Sequence, residues 1–173
     1  ELDLNREFNK KKPAEEIRLL KKDLQKYKKF DIAIELHEDN PKDLPVSQKN
    51  EKSPKGFYMY ENCKNKNKRI GKEIIKVLEN KKIPICKKKK IYDDINSNGV
   101  ISYPEGRKNK VYKKKQNFDD FITSKYCDHV FTFETSTRWN MNKRTKIHLD
   151  AIKTSIKFKK KTIKAAIKLK RKL

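Results

Sequence analysis

Apolar residues recur along the chain at two spacings, and the switch between them predicts the elements. Residues 30–36 (FDIAIEL) and 129–134 (HVFTFE) are short, apolar and rich in β-favouring residues, which predicts buried strands. Residues 56–60 (GFYMY) predict another strand, and Ile83, Pro84 and Ile85 a short one. Between them the period lengthens. Ile17, Leu20, Leu24 and Tyr27 form one stripe at helical spacing after Pro13, with Glu15 and Glu16 in the first turn, where the helix dipole favours acids. Ile70, Ile74, Ile75, Val77 and Leu78 mark a helix over residues 69–78, and residues 118–126 a shorter one. From residue 143 onward the chain reads as helical, ending in an amphipathic basic stretch with Ile156, Ile163, Ala166, Ile167 and Leu169. Residues 1–9 read as a strand end and a loop, and 39–55, rich in Pro and Ser, as a loop. Residues 93–116 read as a long surface loop with room for a small hairpin. Strands separated by helices predict an α/β fold, a layered mixed β-sheet with flanking helices.

The chain has 173 residues, enough for one domain with its own core. Its division is expected at 1–155 for the main domain and 156–173 for the basic helix. The net charge is +24, which by itself points to nucleic acid. The make-up of that charge argues otherwise. Of the 47 basic residues seven are Arg and 40 are Lys, and Asn and Ile are abundant too, the signature of A/T-rich codons. Arg forks and aromatic stacking platforms, the usual tools of a nucleic-acid reader, are sparse.

No run of about eighteen apolar residues occurs, so no membrane span is expected. Cys63, Cys86 and Cys127 are odd in number and form no CxxC pair, which argues against a disulfide framework or a cysteine zinc site. That usage fits a reducing cytoplasm.

Three stretches place polar residues where predicted strands end, the position at which α/β folds hold ligands. They are residues 3–8 (DLNREF), 35–39 (ELHED) and 131–135 (FTFET). His37 follows an apolar strand and precedes two acids. A neutral imidazole there suits a metal ion, with Glu38 or Asp39 in its outer shell. Taken alone it reads rather as a surface histidine at a loop start. Glu134 ends a β-favouring run and could take a proton from a metal-bound water, though on its own it reads rather as an ordinary strand-end acid. Arg6 can hold a carboxylate through two parallel bonds with Asn5 adding a donor, or form a surface salt bridge with Glu7.

Together, in this order, DLNREF, IELHEDN followed by GFYMYE, and FTFETS resemble the zinc carboxypeptidase family over roughly residues 1–155. Arg144 and residues 148–152 (HLDAI) resemble the helix that follows. The resemblance implies a zinc-exopeptidase-like fold. It implies that Asn5 and Arg6 clamp the substrate's terminal carboxylate and that His37 binds one zinc ion. Glu134 would act as general base toward the zinc-bound water and then as proton donor to the leaving amine. The family also uses a mobile tyrosine, for which Tyr103 and Tyr112 are the candidates in the long loop. The implied substrate is a peptide or amide with a free carboxylate.

The family's first two zinc ligands lie in a His-x-x-Glu motif upstream of the Asn-Arg pair. None of His37, His129 and His148 has Glu three residues later. The chain is therefore expected to lack the N-terminal part of the domain and, alone, to be inactive. Two other classes stay open. One is an N-acyl amino acid deacylase of the aspartoacylase and succinylglutamate desuccinylase type, which shares a similar residue set. The other is a non-enzymatic, Lys-rich nucleic-acid-binding protein that uses residues 157–173.

Overall fold

The computed structural model describes residues 3–39, 54–106 and 117–170, with side chains as far as residue 164. A single 3-10 turn, Leu4–Arg6, leads into helix α1 (Glu15–Leu24) and strand β1 (Ala33–Asp39). Strand β2 (Tyr58–Cys63), helix α2 (Gly71–Asn80), the hairpin of β3 (Lys90–Ile91) and β4 (Asp94–Ile95), and strand β5 (Val100–Ser102) follow. Helix α3 (Phe118–Lys125), strand β6 (His129–Ser136) and helix α4 (Met141–Lys170) complete the chain. The main sheet is mixed, ordered β1-β6-β2-β5, with β1 parallel and β2 antiparallel to β6. The class is α/β, a mixed sheet with flanking helices.

Strand β6 is central, and all eight of its residues are buried. Its alternation divides the sheet into two faces. Phe131 and Phe133 join Phe57, Met59, Val100 and the helix residues Ile74, Leu78, Ile147 and Ala151 in the main core, under α2 and α4. On the other face Val130 belongs to a core built with Phe8, Ile17, Leu24, Phe121 and Ile122. Tyr58, Cys86, Ile91, Tyr92 and Ile101 form a third cluster. Thr132, Glu134 and Ser136 lie on the same face as Val130 and carry a polar band along it.

Helix α2 starts at Ile70, which offers no side-chain cap. Glu61 does that work from β2. Its Oε1 accepts from the backbone N–H of Ile70 at 2.8 Å and of Gly71 at 3.1 Å, and lies 2.8 Å from His129 Nε2. Both members of the Glu61–His129 pair are about 1% exposed. Gly71 is required there, because a Cβ would sit 2.6 Å from Glu61 Oε2.

Several expectations shift. Residues 4–6 form a 3-10 turn and not a strand end, because Asp3 caps them by accepting from Asn5 N–H at 3.0 Å. Strand β1 begins later than expected and runs through His37 to Asp39, with Phe30 making only an isolated bridge to Cys127. In α1 only Ile17 and Leu24 of the stripe are buried; Leu20 and Tyr27 are exposed, because the helix rests on the domain through one narrow edge. Ile85 makes a single bridge to Phe57 instead of a strand. The loop expected over 93–116 includes β4 and β5, and β5 extends the main sheet beside β2. Helix α4 runs without a break across residues 155 and 156. Residues 40–53 of the first loop, Tyr112, and the side chains of Ala166, Ile167 and Leu169 lie outside the described residues. No helix among the described residues is long and apolar enough to cross a membrane.

Candidate functional site

The polar band is made by two parallel neighbours. In the β1–β6 register Glu35 faces Thr132, His37 faces Glu134, and Asp39 faces Ser136. Alternation puts Glu35, His37 and Asp39 on one side of β1, and Leu36 and Glu38 on the other. His37 Nε2 lies 2.9 Å from Glu35 Oε1, and its Nδ1 lies 3.7 Å from Glu134 Oε1. The first distance is a hydrogen bond; the second is too long for one but close enough for strong electrostatic coupling. Glu35 Oε2 also accepts from Thr132 Oγ1 at 3.3 Å.

The 3-10 turn delivers the other two predicted residues. Asn5 Nδ2 donates to Glu35 Oε1 at 2.8 Å and lies 3.3 Å from His37 Nε2. Asn5 Oδ1 accepts from the backbone N–H of Phe118 at 2.7 Å, at the start of α3. Phe8 fixes the turn by packing on Phe118 and Phe121, with ring centroids 5.6 and 5.2 Å apart. Arg6 Nη1 donates to Asn5 O at 3.0 Å, and its Nε lies 3.6 Å from Asp3 Oδ2. The salt bridge weighed for Arg6 with Glu7 is not made; Glu7 pairs with Lys10 at 2.5 Å. The structure thus brings together Asn5, Arg6, His37 and Glu134 on one face of the sheet.

Burial and neighbouring charge reshape both titrating groups. Burial pushes the Glu134 carboxyl up to about 8; the field of His37 opposes this, and Asp39 and Glu35 add to it. For His37 burial works to lower the value, but the bond to Glu35 and the negative fields of Glu134 and Glu35 outweigh it and raise the ring to about 9. The two groups are coupled, each charge favouring the other: the ring is held cationic at neutral pH, and the carboxyl is held above its ordinary range by burial. Glu134 is 8% exposed, whereas the His37 side chain is 32% exposed, so water screens the pair from the imidazole side.

The reading of short motifs missed Glu35, which touches both Asn5 and His37. The alternation in ELHED carried the signal, because i and i+2 share a strand face. Glu38, weighed as an outer-shell partner, lies across the sheet and pairs with Arg144 of α4. Asp39 is on the correct face, buried, and accepts from the Tyr92 hydroxyl. His37 and Glu134 sit inside their strands and not at the ends. Tyr103 is buried, its ring against Tyr60 and its carbonyl held by Arg69. His129 is taken by Glu61, and His148 by Thr135 at 3.2 Å.

A catalytic zinc site takes three protein ligands. Among the described residues no group of three His, Cys, Asp or Glu side chains is arranged to hold a metal ion. Here one imidazole has its Nε2 committed to Glu35 and its Nδ1 turned to Glu134. These residues do not fit zinc by themselves. The chain matches no model of a known protein family and no curated protein.

Proposed function

We propose that this chain carries the substrate-carboxylate and proton-transfer parts of a carboxypeptidase-like hydrolase, acting on a peptide or amide bond next to a free carboxylate. One observation supports the reading above the others: the Asn5–Arg6 turn is bonded to the strand that aims His37 at Glu134. An Asn-Arg pair recognises an anionic end, because a guanidinium donates two parallel hydrogen bonds to a carboxylate. The neighbouring carboxyl, once it has lost its proton, can accept one from an attacking water and return it to the departing amine. His37 is the imidazole that would donate to the metal implied by the resemblance, and further ligands from outside the described residues would be needed to complete such a site. The resemblance to the zinc carboxypeptidases in DLNREF, IELHEDN and FTFETS supports the same assignment.

The test is hydrolysis by protein supplied with a complete ligand set. A peptide with a free C-terminus should be cleaved in preference to its C-terminal amide. Glu134→Gln should lower the rate by about 10²–10⁴-fold, the usual contribution of general acid–base help. Equal cleavage of peptide and amide would remove the carboxylate clamp from the reading. Preference for N-acyl amino acids over peptides would favour the deacylase.

A further inference from the structure

We propose that Glu35 is a positioning residue of this site: its carboxylate takes the Nε2–H of His37 and turns Nδ1 toward Glu134, where Nδ1 is the acceptor nitrogen whenever the ring is neutral. The inference deepens the hydrolase reading and draws its relevance from that reading. Its geometry is independent of any substrate.

Asn5 anchors the network. A side-chain amide can be turned either way, but its oxygen accepts from the Phe118 N–H at 2.7 Å, so its nitrogen must face the strand. That nitrogen donates to Glu35 Oε1 at 2.8 Å. His37 Nε2 approaches the same oxygen at 2.9 Å. A carboxylate oxygen and an imidazole lone pair at that distance would repel, so Nε2 carries hydrogen and donates. Two donors then converge on one acceptor, which accounts for the 3.3 Å between Asn5 Nδ2 and His37 Nε2 without a bond between them. The second oxygen of Glu35 accepts from Thr132 Oγ1 at 3.3 Å, which ties the carboxylate to β6. Glu35 therefore links the carboxylate-binding turn, the imidazole and the strand of Glu134. A carboxylate behind an imidazole is a familiar way of fixing tautomer and ring orientation.

Without Glu35 the arrangement should reverse. Asn5 Nδ2 would then face Nε2 with no competing acceptor. It would favour the lone pair there, which moves the proton to Nδ1 and aims an N–H at Glu134. The experiment is nitrogen NMR of the intact chain with labelled histidine, recorded above the ring's value of about 9 so that His37 is neutral. Its signals are assigned by their loss in His37→Gln. Wild type should show hydrogen on Nε2 and an acceptor Nδ1. Glu35→Ala should shift the tautomer ratio by about tenfold or more toward Nδ1–H, the scale of a hydrogen bond to a charged group. Hydrogen on Nδ1 in wild type overturns the proposal without any variant, and so does an unchanged ratio in a folded Glu35→Ala protein. If peptide cleavage fails while the Nε2–H form is found, the hydrolase reading falls and the role of Glu35 stands. If cleavage holds and wild type shows Nδ1–H, only the role of Glu35 falls.

Discussion

His37 Nδ1 lies 3.7 Å from Glu134 Oε1, across two parallel strands that are remote in sequence. The juxtaposition follows from register. A slip of β1 by one residue would turn His37 to the other face, toward α4, and put Leu36 or Glu38 opposite Glu134. The alternation of β1 opposes that slip, because Ile34 packs against the main core and Ala33 against the core on the other face. The apolar alternation of β1 and β6 thus sets where the polar chemistry falls.

The pair makes stability depend on pH in a defined direction. Glu134 titrates near 4.5 when unfolded and at about 8 when folded, so the folded chain holds the extra proton in between. Stability therefore falls as pH rises across that window. His37 is raised from 6.5 to about 9; its contribution is full below 6.5 and is lost as pH rises through 9. Both effects run the same way. Thermal unfolding should show a midpoint that declines from about pH 5 to pH 9, and Glu134→Gln should decline less steeply. Parallel curves would contradict the burial of an ionisable Glu134.

Glu61 is expected to be structural. Glu61→Ala leaves two N–H groups at the start of α2 and the buried His129 without their acceptor. Breaking a buried pair in this way costs about 3–5 kcal/mol, against total stabilities of about 5–15 kcal/mol. Chemical denaturation should show a loss of about 3–5 kcal/mol. A change below about 1 kcal/mol would mean that water or another group replaces the carboxylate.

Zinc should bind this chain weakly. His37 is the one imidazole in the site, and at neutral pH it holds the proton that a metal must displace. Calorimetry on metal-free protein should give weak binding accompanied by proton release. Tight one-to-one binding would reveal a ligand set beyond the described residues.

Much of this was legible in the sequence, and the rest was not, for physical reasons. The strands and helices announced themselves because each buries one apolar set, as Phe131 and Phe133 do in β6. Strand ends are set by pairing, which local composition does not encode: β1 runs through His37 because β6 continues beside it, not because HED favours a strand. Four candidate residues could be named from their types. That Asn5 and Arg6 sit on a 3-10 turn depends on Asp3 and on the Phe8–Phe118 contact, which no local spacing encodes. The caps show the same limit. Glu61 and Ile70 meet only because β2 ends under the start of α2.

In the proposed function Asn5 and Arg6 hold a free carboxylate beside His37 and Glu134. It is tested most directly by titrating the protein with an N-acetyl amino acid and, separately, with its amide, while the NMR signals of Asn5, Arg6 and His37 are followed. The acid should bind and shift all three, the amide should not, and Arg6→Lys should weaken the acid, because an ammonium cannot reproduce the two parallel bonds. Equal binding of acid and amide, or no response at Arg6 and His37, would contradict the account.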